Sequence, residues 1–145
     1  MSLRLSQLLM GACLIPCFAT AAAASLTLVT AGASDYVIVR SGDASASEQW
    51  AVTELVDHLK QMTGVELPVR DAAAPLPAKA IVIGGSPAAA LGVTIDADGL
   101  GDDGFIIRTV GDRLVIAGGP RRGTLYGVYT FLESLGVRWW APNET

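Results

Sequence analysis

Apolar residues recur along this chain at two different spacings, and the change from one to the other separates strands from helices. The β-branched run YVIVR (Tyr36–Arg40) lies between polar residues and predicts a buried strand. An apolar stripe at helical spacing follows, so we expect a helix there. Ser45 with Glu48 three residues later predicts a capping box at its start, and Gly64 predicts its end.

Two further strands are expected before the middle of the chain. VELPVR (Val65–Arg70) predicts an edge strand or a frayed one, because Pro68 cannot donate a backbone hydrogen bond. AIVIGG (Ala80–Gly85) is continuously apolar and predicts a central strand covered on both faces. Small residues, glycines and acids fill residues 86–103, where we expect a long loop with a short helical turn at Pro87–Leu91.

The last third of the chain predicts a hairpin and a second main helix. Two apolar runs, Phe105–Val110 and Arg113–Ala117, are joined by the dipeptide Gly-Asp, which favours a β-hairpin. The helix should start near Pro120 and end at Gly136, and VRWW should begin another extended segment. The order β-α-β-β-β-β-α-β predicts a small α/β sandwich, a mixed sheet of about five strands with two main helices packed on it.

The first 24 residues have a different composition from the rest. Arg4 precedes an apolar run, Leu8–Phe18, and an alanine-rich tract follows up to Ala24. This order is typical of a secretory signal peptide and is too short for a stable membrane span. We therefore expect residues 1–24 to be removed, a secreted or periplasmic location, and no membrane association after cleavage.

Both cysteines, Cys13 and Cys17, lie inside this leader. The exported domain, Ser25–Thr145, should therefore contain no disulfide and no cysteine metal site. A lipid anchor is disfavoured because Cys13 comes too early and Pro16 directly precedes Cys17. About 120 residues remain, enough for one domain with its own core. The formal net charge is −4, and the absence of an extended basic patch disfavours nucleic acid as a partner.

Gly118, Gly119 and Gly123 lie at a strand-to-helix turn, where backbone amides and the helix dipole could hold an anion. The pattern G-G-x-x-x-G, however, matches neither the dinucleotide fingerprint nor the Walker loop. The strand before it is also predicted to belong to a hairpin rather than to a parallel unit. The glycines therefore predict a sharp turn, and we expect no nucleotide and no other cofactor.

Arg121 and Arg122 fall in the predicted first turn of the last helix. Cations there face the positive end of the helix dipole, so an anionic neighbour is expected. That neighbour could be a carboxylate of a following domain or an acidic sugar. The alternative is a pair of solvated arginines without a specific partner.

Three tryptophans join these arginines as candidates for a carbohydrate site or a domain interface. Trp50 falls almost opposite the apolar stripe of the first helix, so it either covers the first strand's edge or meets another domain. Trp139 and Trp140 are adjacent, and on a strand they would point to opposite faces. At most one can then face the interior, and the other needs a sugar or a neighbouring domain as cover.

The remaining polar residues give no metal or catalytic signature. His58 is the only histidine, and its surroundings do not match H-E-x-x-H, so we expect a structural role. Paired acids can serve glycoside hydrolysis or calcium binding. These acids lie in a glycine-rich stretch without calcium-loop spacing, which predicts a solvated loop; they are Asp96, Asp98, Asp102 and Asp103.

Two long segments, Tyr36–Val69 and Arg122–Glu144, resemble the N-terminal accessory domain of bacterial α-glucuronidase-type and β-N-acetylhexosaminidase-type glycoside hydrolases. The most specific motifs are RGTLYG (Arg122–Gly127) and LGVRWW (Leu135–Trp140). The resemblance implies an α/β sandwich that is zincin-like in shape but lacks the zincin metal site. It also implies that the chemistry resides in a TIM barrel that follows this domain.

The resemblance therefore implies a secreted accessory domain that acts in polysaccharide degradation, with no catalytic residue, metal or cofactor of its own. It would support the barrel through residues 121–142, and we expect the chain to be a truncated product or a fragment. The alternative is a free-standing carbohydrate-binding module for acidic sugars, while a nucleotide-binding domain is disfavoured. In that module a tryptophan stacks on sugar and an arginine pairs with a uronate, the candidates being Trp50, Trp139, Trp140, Arg121 and Arg122.

Overall fold

A five-stranded mixed sheet organises the protein, whose computed structural model describes residues 25–139. In chain order the elements are β1 (Val37–Arg40), α1 (Ala46–Thr63), β2 (Val69–Asp71), β3 (Ala80–Ile83), α2 (Gly85–Ala89), α3 (Ala97–Leu100), β4 (Phe105–Val110), β5 (Arg113–Gly118) and α4 (Gly123–Ser134). The strand order is β2-β1-β3-β5-β4, with β4 antiparallel to β5 and the other neighbours parallel. The predicted mixed α/β sandwich with two main helices is confirmed.

Alternate residues of the central strands enter two separate apolar layers. Ile38 and Ile81 face the layer that contains α1 and α4, together with buried Leu55. Val39 and Val82 face the opposite layer, which includes α2 and the loops around it. Because both faces of β3 are covered, its four residues are all buried, as the continuous apolar run predicts.

Helix α1 has the caps that its sequence predicts. The Glu48 amide donates to the Ser45 hydroxyl at 3.2 Å, and the Ser45 amide donates to the Glu48 carboxylate at 2.9 Å. At the other end Gly64 takes a left-handed conformation with φ 73°, and its amide donates to the Lys60 carbonyl. These bonds satisfy backbone groups that the helix ends would otherwise leave unpaired.

The strand predicted at Val65–Arg70 is shorter than expected and lies at an edge of the sheet, one of the two forms that the sequence predicts. β2 begins only after Pro68. The residues between α1 and Pro68 bury the Leu67 side chain and do not pair as a strand with β1. The Pro68 carbonyl still accepts a hydrogen bond from the Ile38 amide at 2.9 Å. β4 forms the opposite edge of the sheet.

Three local predictions are wrong. In the expected loop at residues 86–103 only α3 is unforeseen, since α2 (Gly85–Ala89) overlaps the helical turn predicted at Pro87–Leu91. The last helix begins at Gly123 and not at Pro120, since residues 120–122 form a turn bonded to the neighbouring loop. Residues 137–139 form no strand; instead, the Val137 amide bonds back to the helix carbonyl of Leu132.

Several predictions concern residues outside the described range. The leader with Cys13 and Cys17 lies before residue 25, and Trp140 lies beyond residue 139. The chain enters the described part with Leu26 and Leu28, which pack against the α1–α4 layer. Between residues 25 and 139 there is no helix with the length and apolarity needed to cross a membrane.

Candidate functional site

The turn between β5 and α4 is closed by backbone hydrogen bonds to the loop before β4. The Gly119 amide donates to the Gly104 carbonyl at 2.8 Å, and the amides of Arg121 and Arg122 both donate to the Asp102 carbonyl at 3.3 Å. These three amides are therefore already bonded and do not form an open cradle for a phosphate.

Glycine is required in this turn because two backbone segments nearly touch. A Cβ atom on Gly119 would overlap the backbone of Gly101 and Asp102, and one on Gly118 would lie 2.5 Å from the Gly104 oxygen. The sharp turn expected at these glycines is present. The expectation that β5 belongs only to a hairpin is wrong, since β5 also pairs in parallel with β3.

Arg121 and Arg122 lie before α4 and not in its first turn, which corrects the sequence prediction. The Arg121 guanidinium lies 3.9 Å from the Asp102 carboxylate. Arg122 donates to the Tyr126 hydroxyl at 3.4 Å. The pKa of Arg122 is raised above its usual value, first by this hydrogen bond to Tyr126 and by the electrostatic attraction of the same side chain, and then by the negative charge of Asp103. The loop before β4 thus supplies part of the negative charge that the two arginines were expected to need.

An aromatic cluster bridges helices α1 and α4, and we define it as Trp50, His58, Tyr129 and Trp139. The Trp139 ring meets both His58 and Tyr129 edge-on, with centroids 4.8 Å apart in each pair. The Trp50 indole donates to the Tyr129 hydroxyl at 3.3 Å. Even so, Trp50 is 53% exposed and Trp139 is 44% exposed. The cluster therefore presents a large aromatic surface to its surroundings.

Helical spacing and one tight turn bring these rings together. Trp50, Glu54 and His58 lie four residues apart on one side of α1, and His58 Nδ1 donates to the Glu54 carbonyl at 2.8 Å. After α4, Gly136 adopts φ 106° and reverses the chain, which places Trp139 back on the two helices. The structural role predicted for His58 agrees with these contacts.

An open groove lies on the β4 side of α4, and we call it the aromatic groove. Its volume is about 530 Å³. Tyr126 lies at its N-terminal end along α4, where the Arg122 guanidinium contacts the tyrosine hydroxyl. Glu133 lies about two helical turns further along α4. The lining residues are Phe105, Tyr126, Tyr129, Thr130, Glu133 and Trp139.

Comparison with known protein families decides where this domain belongs. Residues 22–131 match the model described as the glycosyl hydrolase family 67 N-terminus, which covers most of the chain. The chain belongs to this family. The match confirms the α-glucuronidase side of the resemblance and gives no support to the hexosaminidase side. A search of curated proteins gives no significant match.

The structure of this family 67 N-terminal domain brings some of the predicted site residues together and separates others. Trp50 and Trp139 meet through Tyr129, and Arg122 reaches the aromatic groove through Tyr126. Arg121 points instead to the carboxylate of the preceding loop. Trp140 lies outside the described residues.

Sequence reasoning missed the tyrosines of α4 and Phe105 as parts of this surface. Tyr129 is only partly buried. The spacing of Tyr126, Tyr129 and Glu133 could have indicated this surface, because it places all three on one side of the last helix of the family 67 domain. Within residues 25–139, no three His, Cys, Asp or Glu side chains are grouped as metal ligands are.

Proposed function

We propose that this chain is a secreted, non-catalytic accessory domain of an α-glucuronidase-type glycoside hydrolase. The match to the family 67 N-terminus over residues 22–131 is the observation that carries the proposal. The domain's role is to support the catalytic domain of the parent protein in carbohydrate degradation. The alanine-rich leader before residue 25 supports export.

The aromatic cluster is the surface on which the catalytic domain docks. The buried faces of α1 and α4 already pack on the sheet, so the outward rings of Trp50 and Trp139 contribute little to this domain's own core. Large aromatic side chains that are half-exposed and adjacent are typical anchors of protein interfaces.

The domain's polar residues have structural tasks that support a non-catalytic role. The His58 ring packs on Trp139 and bonds to the backbone of its own helix. Asp96 accepts a hydrogen bond from the Gly99 amide at the start of α3. Asp102 and Asp103 are exposed next to the two arginines. Glycosidases instead hold two carboxyl groups at a fixed separation across a substrate.

Two measurements test the proposal separately. The chain, expressed from its full 145-residue frame, should release no product from aryl glycosides or glucuronoxylan oligomers above a protein-free blank. Product formation that co-purifies with the chain contradicts the non-catalytic role. Export predicts that mass spectrometry of the recovered protein finds an N-terminus near Ser25, outside the cytoplasm; an intact leader on cytoplasmic protein contradicts it.

A further inference from the structure

We propose that the free edge of β4 pairs with β4 of a second copy of this chain, which joins two five-stranded sheets into one. The sheet has two edge strands, β2 and β4, and only β4 has the length and the side chains that suit such a pair. The inference rests on the backbone of this edge. It requires neither the accessory role nor docking on the aromatic cluster.

The even-numbered residues of β4 form its hydrogen bonds to β5. A two-residue turn joins the strands, so Val110 and Arg113 flank it as a hydrogen-bonded pair. Such pairs alternate with non-bonded ones along an antiparallel ladder, so Arg108 and Ile106 also bond to β5. The Gly104 carbonyl, directly before β4, follows the same alternation and accepts a hydrogen bond from the turn after β5 at 2.8 Å.

The odd-numbered residues therefore direct their backbone amides and carbonyls away from the sheet; they are Phe105, Ile107 and Thr109. The Ile116 carbonyl, opposite Ile107, agrees with this register because it accepts from the Gly84 amide on the β3 side at 3.0 Å. Within residues 25–139 no strand pairs with the outer side of β4. Unpaired backbone groups along an edge are a template for another strand.

The opposite edge of the sheet is protected against such pairing. β2 has three residues, follows Pro68 and ends at Asp71, which forms an ion pair with Arg40 at 3.2 Å. Short and charged edge strands are a common protection against unwanted pairing. β4, in contrast, has six residues, pairs with β5 without a bulge and includes one charged residue, Arg108. The Ile107 side chain on this edge is 39% exposed.

The sequence of β4 is self-complementary in the antiparallel direction. When Ile107 lies opposite Ile107 of the second copy, Phe105 lies opposite Thr109, so all the outward backbone groups find partners. Two apolar side chains then meet at the two-fold axis. On the other face Arg108 lies opposite Ile106, which keeps the two arginines from direct opposition. A shift by two residues in either direction shortens the paired stretch, and one of these shifts sets Arg108 opposite its own counterpart.

The helix layer leaves room for the pair. α4 packs over β4 and β5, and Ile107 lies on the same face of the sheet as Ile116 of the α1–α4 layer. Neighbouring strands lie about 4.8 Å apart, so the two copies of α4 would lie two strand spacings, about 9.6 Å, from each other. Packed helices have interaxial distances of about 8–10 Å. The two helices can therefore lie side by side over the joined sheet.

The first test uses the unmodified chain, expressed from its full 145-residue frame. Sedimentation should show a reversible monomer–dimer equilibrium with a dissociation constant of about 100 μM. Water-exchange NMR then compares amide exchange at about 50 μM and about 1 mM, where mass action makes most molecules dimeric. The amides of Phe105, Ile107 and Thr109 should exchange about threefold more slowly at the higher concentration. Those of Ile106 and Arg108 should not change, because they already bond to β5.

A charge exchange tests the register. Ile107→Lys and Ile107→Glu each set two like charges opposite one another at the two-fold axis, so each variant alone should dimerise at least about tenfold more weakly. An equal mixture of the two variants should recover association, since the opposed charges now attract. Val69→Lys places the same charge on the exposed side of β2 and should leave association unchanged. Well-dispersed amide spectra show that each variant is folded.

Three results overturn the proposal. One is a chain that stays monomeric up to about 1 mM. Another is protection of the odd-numbered β4 amides in the dilute monomer, which means that a segment of the same chain occupies the edge. The third is association that neither Ile107 variant weakens, which places the contact between copies elsewhere. None of these results bears on hydrolysis, export or docking of a catalytic domain.

Discussion

Trp139 packs edge-on against His58, with their ring centroids 4.8 Å apart, and thereby ties the end of the described chain to helix α1. The Tyr129 ring contacts Trp139 at the same centroid distance. Trp139 is thus held between a residue of α1 and a residue of α4, the two helices that cover one face of the sheet. Residues 137–139 are held by these ring contacts and by hydrogen bonds to the end of α4, and not by sheet pairing.

His58→Ala should release Trp139 from helix α1. The loss of one aromatic contact is expected to lower the free energy of unfolding by about 1 kcal/mol. The indole of Trp139 should become more mobile, seen as a narrower NMR signal. His58→Phe keeps a ring at the position and should retain most of the stability. Equal loss in both variants contradicts a role for the ring contact.

The cap of α1 offers a matched pair of serines. Ser45→Ala removes the hydroxyl that accepts from the Glu48 amide, and we expect a loss of about 1 kcal/mol in denaturant unfolding. The Ser47 hydroxyl is buried and has no hydrogen-bond partner in the described part of the chain. Ser47→Ala should therefore be neutral or slightly stabilising. Similar losses at the two positions contradict the assigned cap.

Gly119→Ala should destabilise the protein strongly. A Cβ there would overlap the backbone of Gly101 and Asp102, and backbone atoms cannot move aside as a flexible side chain can. We expect a loss of about 3 kcal/mol or more, measured by thermal or denaturant unfolding. The control is Gly42→Ala, where nothing lies within 4 Å of the added atom. Gly42→Ala should be neutral or should stabilise the protein by about a few tenths of a kcal/mol.

The main elements of the fold could be predicted because each is specified by a pattern within a short stretch of sequence. The capping box of Ser45 and Glu48, the all-apolar β3 and the hairpin of β4 and β5 each carry their own signal. The parallel pairing of β5 with β3 has no such signal, because it joins strands separated by two short helices. The start of α4 was misplaced for the same reason, since Asp102 and Gly104 hold the turn before it from another loop.

The candidate surface was predicted only in part. The exposure of Trp50 follows from its position opposite the apolar stripe of α1. Its contact with Tyr129 depends on how α1 and α4 pack together, and helix packing is not encoded in either helix alone. Likewise, the separation of Arg121 from Arg122 depends on the path of the loop at Asp102. Adjacent residues thus have different partners.

The Lys60–Glu66 ion pair predicts a small pH dependence of stability. Its hydrogen bond and charge lower the pKa of Glu66 below the ordinary value of 4.5, and they raise the pKa of Lys60. A lowered carboxyl pKa contributes stability above pH 4.5 that is lost as the pH falls through the folded-state pKa. Glu66→Gln should therefore lower the unfolding midpoint slightly at pH 7 and not at the acid end. High salt should shrink the difference at pH 7, because both groups are exposed.

Docking through the aromatic cluster predicts that Trp50→Ala has different effects in two settings. In the 145-residue chain the loss of stability should be small, because the side chain is already 53% exposed. In a protein that joins this chain to its catalytic domain, the same substitution should lower the melting temperature further and raise the protease sensitivity of the junction, because a covered aromatic anchor is lost. Val69→Ala is the control. Val69 is 41% exposed and lies on β2, the edge strand at the other side of the sheet from β4. Its effect should be equal in the two settings, and an equal effect of Trp50→Ala would place the interface elsewhere.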